Sequence, residues 1–160
     1  MSRSKYLSIY LNDHLAALAA LRAVARRSRR SNRGTDLGRY LAQVTYELGD
    51  AIDEIERVAV ELGIRRDPLK RAAAWAAEKA GRLKLNGHFL RYSPLSRVLE
   101  LEGLLAGAEL ELAGWRTLAG VTGRDLSGLA SLCEQRWTDL ARHHSEAAKT
   151  VLRGASSPTR

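Results

Sequence analysis

One cysteine, Cys133, and three prolines occur in 160 residues. A lone cysteine excludes an internal disulfide and fits a reducing compartment. No stretch alternates apolar and polar residues with period two, so no half-buried strand is expected. No uncharged run approaches the ~20 residues needed to cross a bilayer. The opening MSRSKYLSIYLNDH is interrupted by Asn12, Asp13 and His14 before a signal-peptide core could form. These gaps predict a soluble cytoplasmic protein with no membrane partner. Catalytic signatures are also missing. AGRLKLNG has two glycines but no strand before it, and spacing assembles no serine triad.

What is present is helical. Hydrophobic residues make up 45% and charged residues 28%, a globular balance. The length suits one domain over residues 1–160, with an ordered core at about 5–152. Leu7, Leu11, His14, Leu18 and Leu21 recur at steps of four and three, so a first helix is predicted from Lys5 to Ser31. Gly34 stops it and Thr35 caps a second, Asp36 to Leu62, ending at Gly63. Asp67 and Pro68 open a shorter alanine-rich helix to about Leu85. Ser93 and Pro94 open another long helix to about Ala119, with Leu101, Leu104, Ala108, Leu112 and Trp115 on its core face. Asp125 caps the last, to about Leu152, whose expected face includes Cys133, Trp137, Leu140 and His144.

The expected fold is therefore all-α: four long helices of ~40 Å each, plus one shorter crossover helix. If residues 63–93 carry the chain back along the bundle, the second and fourth predicted helices run parallel, as in ferritin-like folds. A plain five-helix up-and-down bundle is the competing topology.

The net charge of +8 is partly local. RAVARRSRRSNR carries Arg26, Arg27, Arg29, Arg30 and Arg33, a candidate anion or nucleic-acid site. Cations at a helix C-terminus also complement its dipole without any ligand, and no aromatic interleaves to stack bases. A second basic stretch, with Lys79, Arg82 and Lys84, reads either as an anion-binding face or as a bundle cover.

Two histidines, His14 and His144, fall on apolar stripes. Glu47, Asp50 and Glu54 share one face of the second helix. Glu100, Glu102, Glu109 and Glu111 lie close to the core face of the fourth. Such residues could ligate a metal, the candidate set being His14, Glu47, Asp50, Glu102 and His144. A ferritin-like di-metal site carries Glu-x-x-His pairs, and the sequence contains none. Satisfied core histidines and solvated carboxylates are the alternative. Cys133 reads as a small core residue, and Trp75 and Trp115 as packing anchors.

YLNDHLA at 10–16, WAAEKAGRLKLNG at 75–87 and YSPLSRVLELEGLLAGAE at 92–109 together resemble an uncharacterised bacterial ferritin-like family. The likeness runs from Tyr6 to Leu118. It implies a four-helix ferritin-like bundle whose shared polar positions would be Asn12, Asp13, His14, Glu47, Asp50, Glu78, Lys79, Glu100, Glu102 and Glu109. It implies no activity.

Three functions stay open on the residues. The first is a non-catalytic binding or assembly protein, homodimeric, with a degenerate metal site and no cofactor. The second is an oxidoreductase or storage protein that binds Fe or Mn. The third is a basic anion or nucleic-acid binder.

Overall fold

A computed structural model describes residues 3–64 and 92–154. Among them are four helices: α1 Arg3–Ser31, α2 Asp36–Glu61, α3 Pro94–Thr122 and α4 Ser127–Gly154. The predicted shorter helix after Asp67, with Trp75 and the Lys79 basic face, lies outside the described residues.

Local chemistry sets the ends. Gly34 takes φ 79°, a left-handed turn that favours glycine. The Thr35 hydroxyl then accepts from the Gly38 amide at 3.1 Å and caps α2. At α3, Ser93 and Ser96 cap each other reciprocally and Pro94 occupies the first turn. Gly123, at φ 69°, closes α3 as a left-handed C-cap. Asp125 precedes α4 by two residues, and its carboxylate accepts from the Ser127 amide and hydroxyl at 3.0 and 2.6 Å. Those bonds hold its carboxyl below the ordinary aspartate range.

The helices form a four-helix bundle. α1 packs on α2 and α3 packs on α4, as two hairpins; α1 also packs on α3, and α2 on α4. Contacts between the hairpins fix the directions. Arg27 near the end of α1 pairs with Glu100 near the start of α3 at 2.7 Å. The buried Asn32 amide donates to the Tyr92 hydroxyl at 3.0 Å at that same end. Glu61 at the end of α2 pairs with Arg124 beside the start of α4. Every packed neighbour is thus antiparallel, and α2 and α3 run the same way. The chain leaves α2 at one end of the bundle and enters α3 at the other.

The core runs through Leu11, Leu18, Leu41, Val44, Leu101, Trp115, Leu118 and Leu140, each nearly inaccessible. Burial of this kind supplies most of the stability of long helices. Two glycines of α3 let α1 approach closely. Gly107 and Gly114 stand seven residues apart, and so do the α1 side chains they receive, Leu21 and His14. The outer face of α3 is different. Gly103, Ala106, Leu110, Ala113, Thr117 and Gly120 follow steps of three and four and are exposed. A β-carbon at Gly103 or Gly120 would meet nothing within 4 Å.

α4 is rotated by one residue from the expected face. Arg136 and His143 point inward beside Cys133, Leu140 and Ala147. Trp137 is 41% exposed. Both Arg136 and Trp137 lie within one turn of Cys133 and Leu140, so hydrophobicity alone favoured the tryptophan. The carboxylates facing α4 select the arginine instead.

Candidate functional site

At mid-bundle three helices contribute charged side chains to one network, Glu47 from α2, Glu111 from α3 and Arg136 from α4; His14 from α1 lies toward one end of it, lining a cavity with Glu111 and Ile55. Arg136 and Glu111 are each only 3% exposed. The Arg136 guanidinium donates from Nη1 to Glu111 Oε2 at 2.5 Å and from Nε to Glu47 Oε2 at 2.9 Å. Trp115 Nε1 donates to the other Glu111 oxygen at 3.2 Å. Burial works against the arginine's charge, but the two carboxylates outweigh it and raise its pKa further. A buried charge is tolerable when paired in this way.

Neighbouring groups are held in their neutral forms. The Tyr40 hydroxyl donates to the Arg136 backbone carbonyl at 3.1 Å, and burial pushes its pKa well up, with Asp139 and Glu47 adding to the shift. The Cys133 thiol, buried beside Glu111 and Trp115, is pushed up to about 12, first by burial and then by the Glu111 charge. His143 stacks on Tyr40 with ring centres 4.9 Å apart. Burial, then the Arg142 charge, lowers the His143 pKa.

His14 lies on α1 against Gly114, next to Glu111 in the same cavity. Its ring lies 4.2 Å from that of Tyr10. Nδ1 is 3.1 Å from the Tyr10 backbone carbonyl oxygen, and Nε2 is buried with no partner. Arg136 Nη2 is likewise buried and unpartnered.

The candidate metal residues fall in separate places. Glu47 belongs to the Arg136 network and His14 lines a cavity beside Glu111, with Ile55 as its neighbour from α2. Asp50 is exposed. Glu102 and His144 pair with each other at 3.1 Å on the flank of α3 and α4, where Glu102 is 51% exposed. His143, one position earlier, is the buried histidine of α4. Among the described residues no group of three or more His, Cys, Asp or Glu side chains could hold a metal ion. Sequence spacing placed Glu111 close to the core face but left it out of the candidate set, and it passed over Arg136. Glu111 lies three after Ala108 and four before Trp115, a core spacing; Arg136 lies three after Cys133 and four before Leu140, but Trp137 fits those steps equally well.

Arg26, Arg29 and Arg30 stand at i, i+3 and i+4 and share one exposed face of α1, whereas Arg27 is turned ~100° from Arg26. Arg27 is engaged by Glu100. Arg26 lines a groove of about 260 Å³ between α1 and α2, together with Arg22, Asn12 and Glu56. Arg29, Arg30 and Arg33 are exposed. No helix among the described residues is long and apolar enough to cross a membrane.

Comparison with protein-family models, with curated proteins and with solved structures gives no match.

Proposed function

We propose that this chain is a non-catalytic ferritin-like bundle that acts by binding or assembly, with a degenerate metal centre whose cation position is filled by its own arginine. One observation carries the reading: the Arg136 guanidinium lies between Glu47 and Glu111, bonded to both. Ferritin-like di-metal sites place inward carboxylates and histidines from four helices around cations at mid-bundle. Here a covalently attached positive charge already sits between the two inward carboxylates and offsets one of their two negative charges. The parallel course of α2 and α3 between two hairpins supports the same family of folds. The test is elemental analysis of the untagged protein after loading with Fe, Mn and Zn and desalting. The reading expects no stoichiometric metal. One or two metals per chain, lost in Glu47→Ala, would overturn it in favour of an oxidoreductase or storage protein.

The assembly half of the reading rests on α3, and the partner is a second copy. The stripe through Ala106, Leu110 and Ala113 is exposed and apolar along the helix. Glu109 and Arg116 flank it seven residues apart with opposite charges. In an antiparallel α3–α3 pair, one two-fold axis sets Glu109 of each copy against Arg116 of the partner subunit. Light scattering behind size exclusion should then find a dimer. Leu110→Glu should give a monomer, and Glu109→Arg should weaken the dimer until Arg116→Glu is added. A wild-type monomer at all concentrations would remove this part.

A further inference from the structure

We propose that the C-terminal end of α1 is a docking surface for the phosphate backbone of a nucleic-acid duplex, carried by Arg26, Arg29, Arg30 and Arg33. The inference goes beyond the reading above. It uses neither the Arg136 network nor the outer face of α3, so it can fail without either. Its first support is which arginines the bundle leaves over. Arg27, Arg39, Arg57, Arg116 and Arg124 each pair with a carboxylate. Arg26, Arg29, Arg30 and Arg33 are exposed. None of these four makes a side-chain hydrogen bond or ion pair with another of the described residues.

Helix stability does not account for the cluster. Arg26 repels Arg29 and Arg30, three and four residues on. The last carbonyls of α1 are served by other groups: the Asn32 backbone amide donates to the Ser28 carbonyl oxygen at 3.0 Å, and the Asn32 side-chain amide to the same oxygen at 2.8 Å. The helix dipole favours cations in the last turn only. That turn holds Arg29 and Arg30; Arg26 stands before it and Arg33 beyond the helix.

The geometry suits a chain of phosphates. Arg26 and Arg30 are separated by ~6 Å of helix rise, and Arg33 continues past the end. Each strand of a duplex carries one phosphate per ~3.4 Å of axis, so neighbouring arginines can meet neighbouring phosphates. The guanidinium fork matches phosphate oxygens. Carboxylates nearby are engaged, Glu100 by Arg27 and Asp36 by Arg39. Asp50, Asp53, Glu54 and Glu61 lie on the far half of α2, so the bundle would meet a polyanion end-on. The Asn32–Tyr92 bond, 3.0 Å, ties this end of α1 to the start of α3. No aromatic interleaves with the arginines to stack a single strand. From Arg26 to Asp36 no apolar side chain is exposed to enter a bilayer. Contacts of this kind hold the backbone and read no sequence.

The test is fluorescence anisotropy of a short labelled DNA duplex titrated with the full chain between ~50 and ~200 mM salt. Replacing Arg29→Gln and Arg30→Gln together should weaken binding and make the slope of log affinity against log salt shallower by about 2. Arg57→Gln, at the other end of the bundle, should leave the slope unchanged. In wild type, adding the duplex should shift the Nε–Hε signals of Arg29 and Arg30 in nitrogen-15 spectra, which decides the matter even if the double variant fails to fold. No binding at the lowest salt, an unchanged slope in the double variant, or unmoved arginine signals would overturn the proposal. Tighter binding of the matching single strand would overturn the duplex. Tighter binding of phosphatidylglycerol vesicles, lost in the double variant, would overturn nucleic acid in favour of a membrane surface. Metal content and oligomeric state, measured on the same variants, test the earlier reading separately.

Discussion

His14 rests on the bare backbone of Gly114, and the two residues depend on each other's size. A β-carbon at Gly114 would stand 2.7 Å from the imidazole Cδ2, inside contact distance for a rigid ring. Gly114→Ala should therefore destabilise the protein by ~1–3 kcal/mol, the usual cost of overpacking. His14→Ala in the same chain should recover most of that loss. Denaturant midpoints of the two single variants and the double give the coupling; simple additivity would count against this packing.

Arg136→Met should cost about 3–5 kcal/mol, because it leaves Glu111 buried without its charge partner. Adding Glu111→Gln removes the orphaned charge and keeps an acceptor for Trp115, so the double variant should be more stable than Arg136→Met alone. Urea unfolding followed by circular dichroism reads both. If the double variant is the less stable of the two, the network is not held together by this charge pairing.

Cys133 should be silent in the folded protein. A thiol pushed up to about 12 by burial and by Glu111 holds almost no thiolate near neutral pH. Alkylation at about pH 8 should proceed only as fast as the bundle opens, and should become rapid in denaturant. Fast labelling without denaturant would show α4 to be loosely packed.

Stability should fall as pH drops through the ordinary histidine range. The folded chain lowers the pKa of His143 by burial and by Arg142, so the unfolded chain takes up that proton at higher pH. The contribution is present above the unfolded value of ~6.5 and is lost below it. His143→Gln should lose less stability than wild type between about pH 7.5 and about pH 5.5. Equal losses would assign the effect to other groups.

The helices were legible in the sequence because their signals are local. Thr35, Gly34, Ser93, Pro94 and Gly63 each act within a few residues, and the leucine steps of α1 and α2 fall where the core lies. His14 and Glu47 were also legible as polar residues near the interior. Arg136 was not, because its place depends on a carboxylate 89 residues away and another 25 residues away. Trp137 is the better hydrophobe, and only the facing helices decide between it and Arg136. The outer stripe of α3 escaped for a related reason: glycine and alanine look neutral in a sequence, and become a surface only when a helix turns them outward together.

Because the buried charge network joins Glu47 of one hairpin to Arg136 and Glu111 of the other, it reports on alignment as well as on charge. The two hairpins can each form from nearby contacts, but they must then meet in the right register. Apolar packing tolerates a slip poorly but not absolutely, since leucine replaces leucine one turn along. A slip of one helical turn between the hairpins, about 5.4 Å, would carry Arg136 away from Glu47 and leave its Nε buried without that carboxylate, Glu111 alone staying with it. The arginine thus works as a key for docking: it adds little to the stability of the correct pairing and makes each incorrect one expensive.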